Sequence, residues 1–267
     1  MSSGRYVPAV PDEHTLGGRV AIVTGASRGI GKALAVGLAR HGAAVVCAAR
    51  TLRAGESDLP GSVDETVTAI EGAGGRALAV RCDVGVYDDL AEMVDGTIDA
   101  FGRVDVLVNN AMAPTRGTFD ETTLEMWDES MTANVRSLFA LAKLVVPHMS
   151  ATGGGSIVNI SSGGADHAAA PFMPAGFVTY AVAKAAMERF TTGLAPELRD
   201  RNVNVNALRP GAVKTELATA QLGDHHDWSG WTAPEAVVPA VAFLAAQIGT
   251  DFTGRIVDST QFGRAWP

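Results

Sequence analysis

Cysteine is almost missing from this 267-residue chain, which holds only Cys47 and Cys82, both in apolar stretches. Two such residues supply neither a disulfide framework nor a thiolate metal site, and they suit buried, reduced thiols in a cytoplasmic protein. Long apolar runs are missing too. No stretch approaches the roughly 18 uninterrupted apolar residues of a membrane span, and residues 1–18 mix Pro8, Pro11, Asp12, Glu13 and His14 without an apolar signal core. No membrane partner is expected. Lys and Arg number 21 against 29 Asp and Glu, a formal charge of −8, and no basic run could track a phosphate backbone. Nucleic acid is therefore not an expected partner. Glycine breaks this pattern of scarcity: 30 residues make about 11% of the chain against roughly 7% in average usage. Something in the fold needs bare backbone.

Along the chain a short β-branched run, a glycine-rich turn and a longer stretch of helical periodicity recur without a break. The expected strands are Arg19–Thr24, Ala43–Ala49, Arg76–Cys82, Val104–Asn109, Ser156–Ile160, Val203–Leu208 and Arg255–Asp258. The expected helices lie near Gly31–His41, Val63–Gly72, Asp88–Phe101, Leu124–Met149, Val178–Arg199 and Pro234–Gln247. Such alternation specifies an α/β fold, a doubly wound parallel sheet of seven strands in a single domain, because each helix must return the chain to start the next strand in the same direction. Residues 1–18 read as an N-terminal extension and 19–267 as the domain. Two longer segments, Thr51–Ser62 and Gly163–Phe177, follow strand C-terminal ends, where ligands bind in open α/β sheets.

The first strand runs into Thr24-Gly25-Ala26-Ser27-Arg28-Gly29-Ile30-Gly31 and then a helix. Glycines there permit a tight turn beside a pyrophosphate, and the helix N-terminus offers free N–H groups, so this is a dinucleotide turn of the Rossmann type. The second strand ends Cys47-Ala48-Ala49-Arg50, with no carboxylate to bond a ribose 2′-hydroxyl. Arg50 and Arg28 offer two planar forks for a 2′-phosphate, which predicts NADP over NAD. Asp83, beside Val84, is placed either to meet the adenine edge or to cap the following helix.

Tyr180-Ala-Val-Ala-Lys184 is the only Tyr-x-x-x-Lys in the chain. Residues four apart share a helix face, so the ammonium can approach the phenol and favour its ionised form, drawing its pKa toward neutrality.

Taken in order, the glycine turn, Asn109-Asn110-Ala111, Asn134, Ser161-Ser162, Tyr180 with Lys184, and Arg209-Pro210-Gly211 with Val213 and Thr215 resemble the short-chain dehydrogenase/reductase family, from about Gly18 to Gly263. The resemblance implies hydride transfer between a nicotinamide and a small carbonyl or alcohol substrate, interconverting a ketone and a secondary alcohol. It implies Tyr180 as general acid/base and Ser162 as donor to the substrate oxygen. Lys184 would bind the nicotinamide ribose and lower the Tyr180 pKa, and Asn134 would hold a water leading to solvent. The cofactor set becomes Gly25, Ser27, Arg28, Gly29, Ile30, Gly31, Arg50, Asp83, Val84, Asn110, Ala111, Tyr180, Lys184, Pro210, Gly211, Val213 and Thr215. A homotetramer is implied as well, because family members commonly pair the two long helices across subunits.

Some positions depart from the family pattern. Met112 replaces the usual glycine, so it must point away or line the pocket. Ser162 and Tyr180 lie 18 positions apart, more than is usual, which leaves Ser161 as an alternative and places Pro171, Phe172, Met173 and Pro174 in a loop over the substrate. His225-His226-Asp227 invites a metal reading, but adjacent side chains diverge and no further ligands are evident, so Glu216–Trp231 reads as a polar lid. Trp228, Trp231, Phe172 and Met112 then form an apolar substrate wall. A 3-oxoacyl-thioester reductase and a non-catalytic dinucleotide-binding regulator are the competing functions; the net charge does not favour the first, and the intact Ser-Tyr-Lys set argues against the second.

Overall fold

Seven parallel strands form one sheet in the order β3-β2-β1-β4-β5-β6-β7. The computed structural model describes residues 15–168, 175–223 and 225–267. The strands are β1 Val20–Thr24, β2 Ala44–Ala49, β3 Arg76–Arg81, β4 Val106–Asn109, β5 Gly155–Ile160, β6 Val203–Arg209 and β7 Ile256–Asp258. In β1, β2, β4 and β5 every residue is buried, as expected of strands covered by helices on both faces. The edge strands β3 and β7 are only partly covered. The order reverses between β1 and β4, and the crevice beyond their C-terminal ends is where an open α/β sheet holds its ligand.

Eight α-helices stand among the described residues: α1 Gly29–Arg40, α2 Val63–Gly72, α3 Tyr87–Phe101, α4 Leu124–Met131, α5 Ser137–Ala151, α6 Val178–Leu198, α7 Glu216–Leu222 and α8 Val238–Ala246. One face of the sheet packs Leu34 and Leu38 of α1, Ile70 of α2 and Val241 and Leu244 of α8 against Val23, Val45 and Val108. The other packs Leu90 and Met93 of α3, Leu141, Val145 and Met149 of α5 and Leu198 of α6 against Ile22, Val46 and Ile157. Each large aliphatic side chain buried this way contributes about 1.5–3 kcal/mol. Leu16 is fully buried in the first cluster, and its N–H donates to His41 O at 2.9 Å, so the packed body starts upstream of Arg19.

The expected helix over Leu124–Met149 is not continuous. It divides into α4, a π-helical turn at Thr132–Arg136 and α5. Asn134 lies in the π turn, and its Nδ2 donates to Ser130 O at 2.9 Å, a side chain bonded into the helix's own carbonyl ladder. The expected helix at Pro234–Gln247 opens as a 3-10 turn, Pro234–Val237, before α8. A helix also stands where a lid was expected: α7, whose N-terminus is capped by Thr215 Oγ1 accepting from Ala218 N at 3.1 Å. Residues 1–14 and the Pro171–Pro174 stretch lie outside the described residues.

Candidate active site

Beyond β1 and β4 lies a cavity of about 620 Å³. Gly25, Ser27, Arg28, Gly29, Ile30, Gly31, Arg50, Asp83, Val84, Asn110, Ala111 and Thr215 line it, all expected from the sequence, and Leu59, Met112 and Glu216 join them. Met112 therefore lines the pocket rather than pointing away. The glycine turn is packed against the protein's own backbone. Gly25 has φ +69°, and a Cβ there would stand 2.8 Å from Asn110 Nδ2; a Cβ on Gly31 would stand 2.1 Å from Gly25 O. Asn110 explains the closeness: its Nδ2 donates to Thr24 O at 2.9 Å, while the Asn110 and Ala111 amides both donate to Thr24 Oγ1 at 3.1 Å. The turn opens into α1, whose first residues receive no side-chain cap, unlike α2 and α7. Uncapped amides at the start of a three-turn helix, facing a cavity, fit an anionic group such as a pyrophosphate.

The two-arginine expectation changes here. Arg28 donates from Nε to Pro60 O at 3.0 Å, from Nη1 to Ser57 Oγ at 3.3 Å, and from Nη2 to Thr51 Oγ1 at 3.3 Å and Gly61 O at 3.0 Å. Its donors are occupied in clamping the Thr51–Ser62 segment onto the glycine turn. Arg50 keeps two thirds of its side chain exposed, and among the described residues its charged partner is Asp83, at 3.9 Å. Arg50, at the end of β2, is thus the more open of the two forks. Asp83 Oδ1 accepts from Gly85 N at 2.9 Å, closing a local turn, and Val86 rather than Asp83 occupies the N-cap of α3.

Ser162, Tyr180 and Lys184 meet at the C-terminal end of β5. Lys184 Nζ lies 5.7 Å from the Tyr180 ring centroid and donates to Ile160 O at 2.7 Å. Lys184 is fully enclosed, and burial pushes its pKa down to about 8. Tyr180 keeps part of its side chain at the surface, yet desolvation raises its pKa above the ordinary value, opposed by the Ser162 hydroxyl and the Arg116 charge. The expected lowering of the phenol by Lys184 is not what these groups produce, because burial outweighs the charges around it.

Asn134 borders the same place from the π turn. Its Nδ2 also donates to Ala113 O at 3.1 Å, and Ala113 lines the cavity. Its Oδ1 is buried with no partner among the described residues, an acceptor able to hold a water. Pro210, Gly211 and Val213 follow β6, where Ser259 Oγ donates to Pro210 O at 2.8 Å and Val213 pairs with Thr232.

A family model described as short chain dehydrogenase matches residues 19–225. The chain belongs to the short-chain dehydrogenase family. It is 34% identical over 253 residues to Dehydrogenase/reductase SDR family member 4 of Homo sapiens, covering 91% of this chain and 86% of that protein. It is 32% identical over 256 residues to gluconate 5-dehydrogenase of Gluconobacter oxydans, covering 92% and 95%. Among solved structures it resembles a short chain dehydrogenase of Burkholderia cenocepacia in complex with NADP, at TM-score 0.79 and 31% identity, covering 91% and 97%. The family is one of oxidoreductases, and this chain carries its Rossmann-type sheet.

Within that family frame, the two adjacent serines separate by burial. Ser161 is buried, its Oγ donating to Glu188 Oε1 at 2.7 Å, whereas Ser162 faces Tyr180. Glu188 also receives Arg209 Nε at 2.7 Å and Nη2 at 2.8 Å, and Arg209 Nη1 reaches Asp166 at 3.0 Å. This ion-paired group fixes the ends of β5 and β6 behind Ser162. Sequence reasoning missed Glu188; its position four residues after Lys184 on one helix was the available signal. Asn109 Nδ2 donates to Asn159 Oδ1 at 2.8 Å, and Asn159 Nδ2 to Thr191 Oγ1 at 2.9 Å, so Asn109 ties β4 to β5 and α6.

The expected polar lid is instead an aromatic cluster beside α7. His226, Trp228 and Trp231 pack edge to face with ring centroids 4.8–5.3 Å apart. Among the described residues no His/Cys/Asp/Glu group could hold a metal. No described helix is long and apolar enough to cross a membrane. Burial pushes the Cys47 and Cys82 thiols up to about 12, which leaves both unreactive. A second cavity of about 520 Å³, lined by Arg19, Arg40, Arg76 and Arg103, opens at the opposite end of the strands, far from Tyr180. Arg19 there caps the carbonyls of Ala245 and Ala246, and Arg103 pairs with Asp105.

Proposed function

We propose that this chain is an NADP(H)-dependent oxidoreductase that interconverts a ketone and a secondary alcohol, with Tyr180 as general acid/base. The juxtaposition of Ser162, Tyr180 and Lys184 beside the uncapped α1 cavity carries this reading. A bound nicotinamide supplies the hydride. The Tyr180 hydroxyl gives its proton to the carbonyl oxygen, and the Ser162 hydroxyl donates a hydrogen bond that stabilises the charge developing there. Lys184 is anchored through Ile160 O and also reaches Met187 Sδ at 4.0 Å, so one further N–H donor is left to suit a ribose hydroxyl. The unpartnered Asn134 Oδ1 holds a water that passes protons between Lys184 and solvent.

Two further points follow from the same residues. Burial raises the phenol above its ordinary value, so Tyr180 stands protonated at neutral pH, the form that reduction requires. Arg50, unopposed at the end of β2 except by Asp83, supports NADP over NAD. Pro210, Gly211, Val213 and the Thr215 backbone border the nicotinamide end; the Thr215 hydroxyl already caps α7. Exposed Phe139 on α5 and Val178 and Val182 on α6 support pairing of these helices between copies in a cytoplasmic homotetramer. The test is NADPH oxidation, followed by absorbance, over a panel of ketones. Turnover is expected, and Tyr180→Phe is expected to lower it by about 10²- to 10⁴-fold; turnover that survives this substitution overturns the assignment.

A further inference from the structure

Given that catalytic reading, on which this step rests, we propose that Arg116 is a specificity-determining residue that receives a carboxylate of the substrate, making the preferred carbonyl compound an oxo acid. The residue belongs to the segment between β4 and α4, and this segment is laced to the approach of α6. Gly117 N donates to Gly176 O at 3.2 Å, and Gly176, at φ +88°, lies so near that a Cβ there would stand 3.5 Å from the Gly117 carbonyl carbon. That seam fixes Arg116 beside the helix that carries Tyr180.

The guanidinium carbon lies 4.2 Å from the centre of the Phe177 ring. Phe177 in turn meets Tyr180 edge on, with ring centroids 6.4 Å apart. Laid end to end, the two distances put the charge within about 11 Å of the Tyr180 ring. The charge is also among those that oppose the rise of the Tyr180 pKa, as a cation close to the phenol must.

Arg116 is exposed, and among the described residues it makes no hydrogen bond or ion pair. The other guanidinium groups of the site are taken: Arg28 holds the Thr51–Ser62 segment, and Arg209 holds Glu188 and Asp166. The segment carries two acidic groups, Asp120 and Glu121; among the described residues neither pairs with Arg116, and Glu121 accepts from Thr118 N at 2.9 Å and from Thr118 Oγ1 at 2.8 Å. A guanidinium seated over an aromatic ring spends none of its N–H donors on hydrogen bonds there, and its planar fork matches a carboxylate bidentately. The ring contact also removes part of the side-chain freedom that carboxylate binding would otherwise have to freeze.

The experiment compares levulinate and its longer oxo-acid homologues with their methyl esters, which keep the carbonyl and remove the charge. With NADPH, the wild-type protein is expected to favour the acids. Arg116→Ala should lower kcat/KM for the acids by about 10- to 100-fold, mainly through KM, and leave the esters and the melting temperature unchanged. Arg116→Lys should restore part of the loss. Equal use of acids and esters by the wild type, or an equal fall for both in Arg116→Ala, overturns the proposal. Calorimetric binding of the acids to the NADP complex reads the same contact without turnover. Binding that vanishes in Arg116→Ala supports the site even where Tyr180→Phe leaves turnover intact, which would fault the catalytic reading alone. No acid binding by the wild type overturns the proposal.

Discussion

Lys184 is a full charge enclosed by protein, and its replacement by methionine should leave a pH-dependent mark on stability. In the unfolded chain its ammonium titrates near 10.5, and burial brings it to about 8 in the fold. The unfolded state therefore binds more protons between these values, and stability rises as pH climbs through that window. Holding the charge costs the fold about 3–4 kcal/mol at pH 7 and about 1–2 kcal/mol at pH 9.5. A methionine carries no such cost at either pH. The bond from Nζ to Ile160 O is lost in Lys184→Met at both pH values and cancels from the comparison, as do the titrations that the two proteins share. Relative to Lys184→Met, the wild-type protein should thus gain about 2 kcal/mol between pH 7 and 9.5, equivalent to about 4–8 °C in Tm. Urea unfolding of both proteins at the two pH values measures it. A stability difference that does not change with pH, or one that changes in favour of the methionine, refutes the reasoning.

Nucleotide titrations followed by fluorescence should separate the two arginines. Arg50→Ala is expected to weaken NADPH by about 10-fold or more, with little effect on NADH, whereas Arg28→Ala, by releasing the Thr51–Ser62 segment, should weaken both alike. A matching loss of both nucleotides in Arg50→Ala would remove the argument for a 2′-phosphate. Gly31→Ala would place a methyl 2.1 Å from Gly25 O, a backbone atom, so urea unfolding should show a loss of about 3 kcal/mol or more. An alanine variant as stable as the wild type would mean that the glycine turn can shift.

Where one local rule governed an element, the sequence was enough. The buried strands read as apolar runs, β1 at Val20–Thr24 and β4 at Val106–Asn109, and the alternation with helices already implied a parallel sheet. The residues of the glycine turn could be placed because strand, turn and helix follow one another without an interval. What escaped depends on partners distant in the chain. Nothing in Arg28 itself shows that residues 51–61 would take its donors. The break in the long helix at Thr132–Arg136 has no glycine or proline to announce it, because the cause is one asparagine side chain bonded back into the ladder. Likewise Arg116 and Glu188 look like ordinary surface charges until the fold brings Phe177, Ser161 and Arg209 to them.

A π turn holds one residue more than an α turn of the same reach, so the break before α5 amounts to a single-residue insertion. Removing one residue from 132–136 would let α4 and α5 run on as one helix, with Leu141, Val145 and Met149 still aimed at the sheet. Only the widened turn, and with it the inward Asn134 oxygen, would disappear. In evolutionary terms, a one-codon deletion separates a sound structural helix from one that also turns a buried, unpartnered amide oxygen inward.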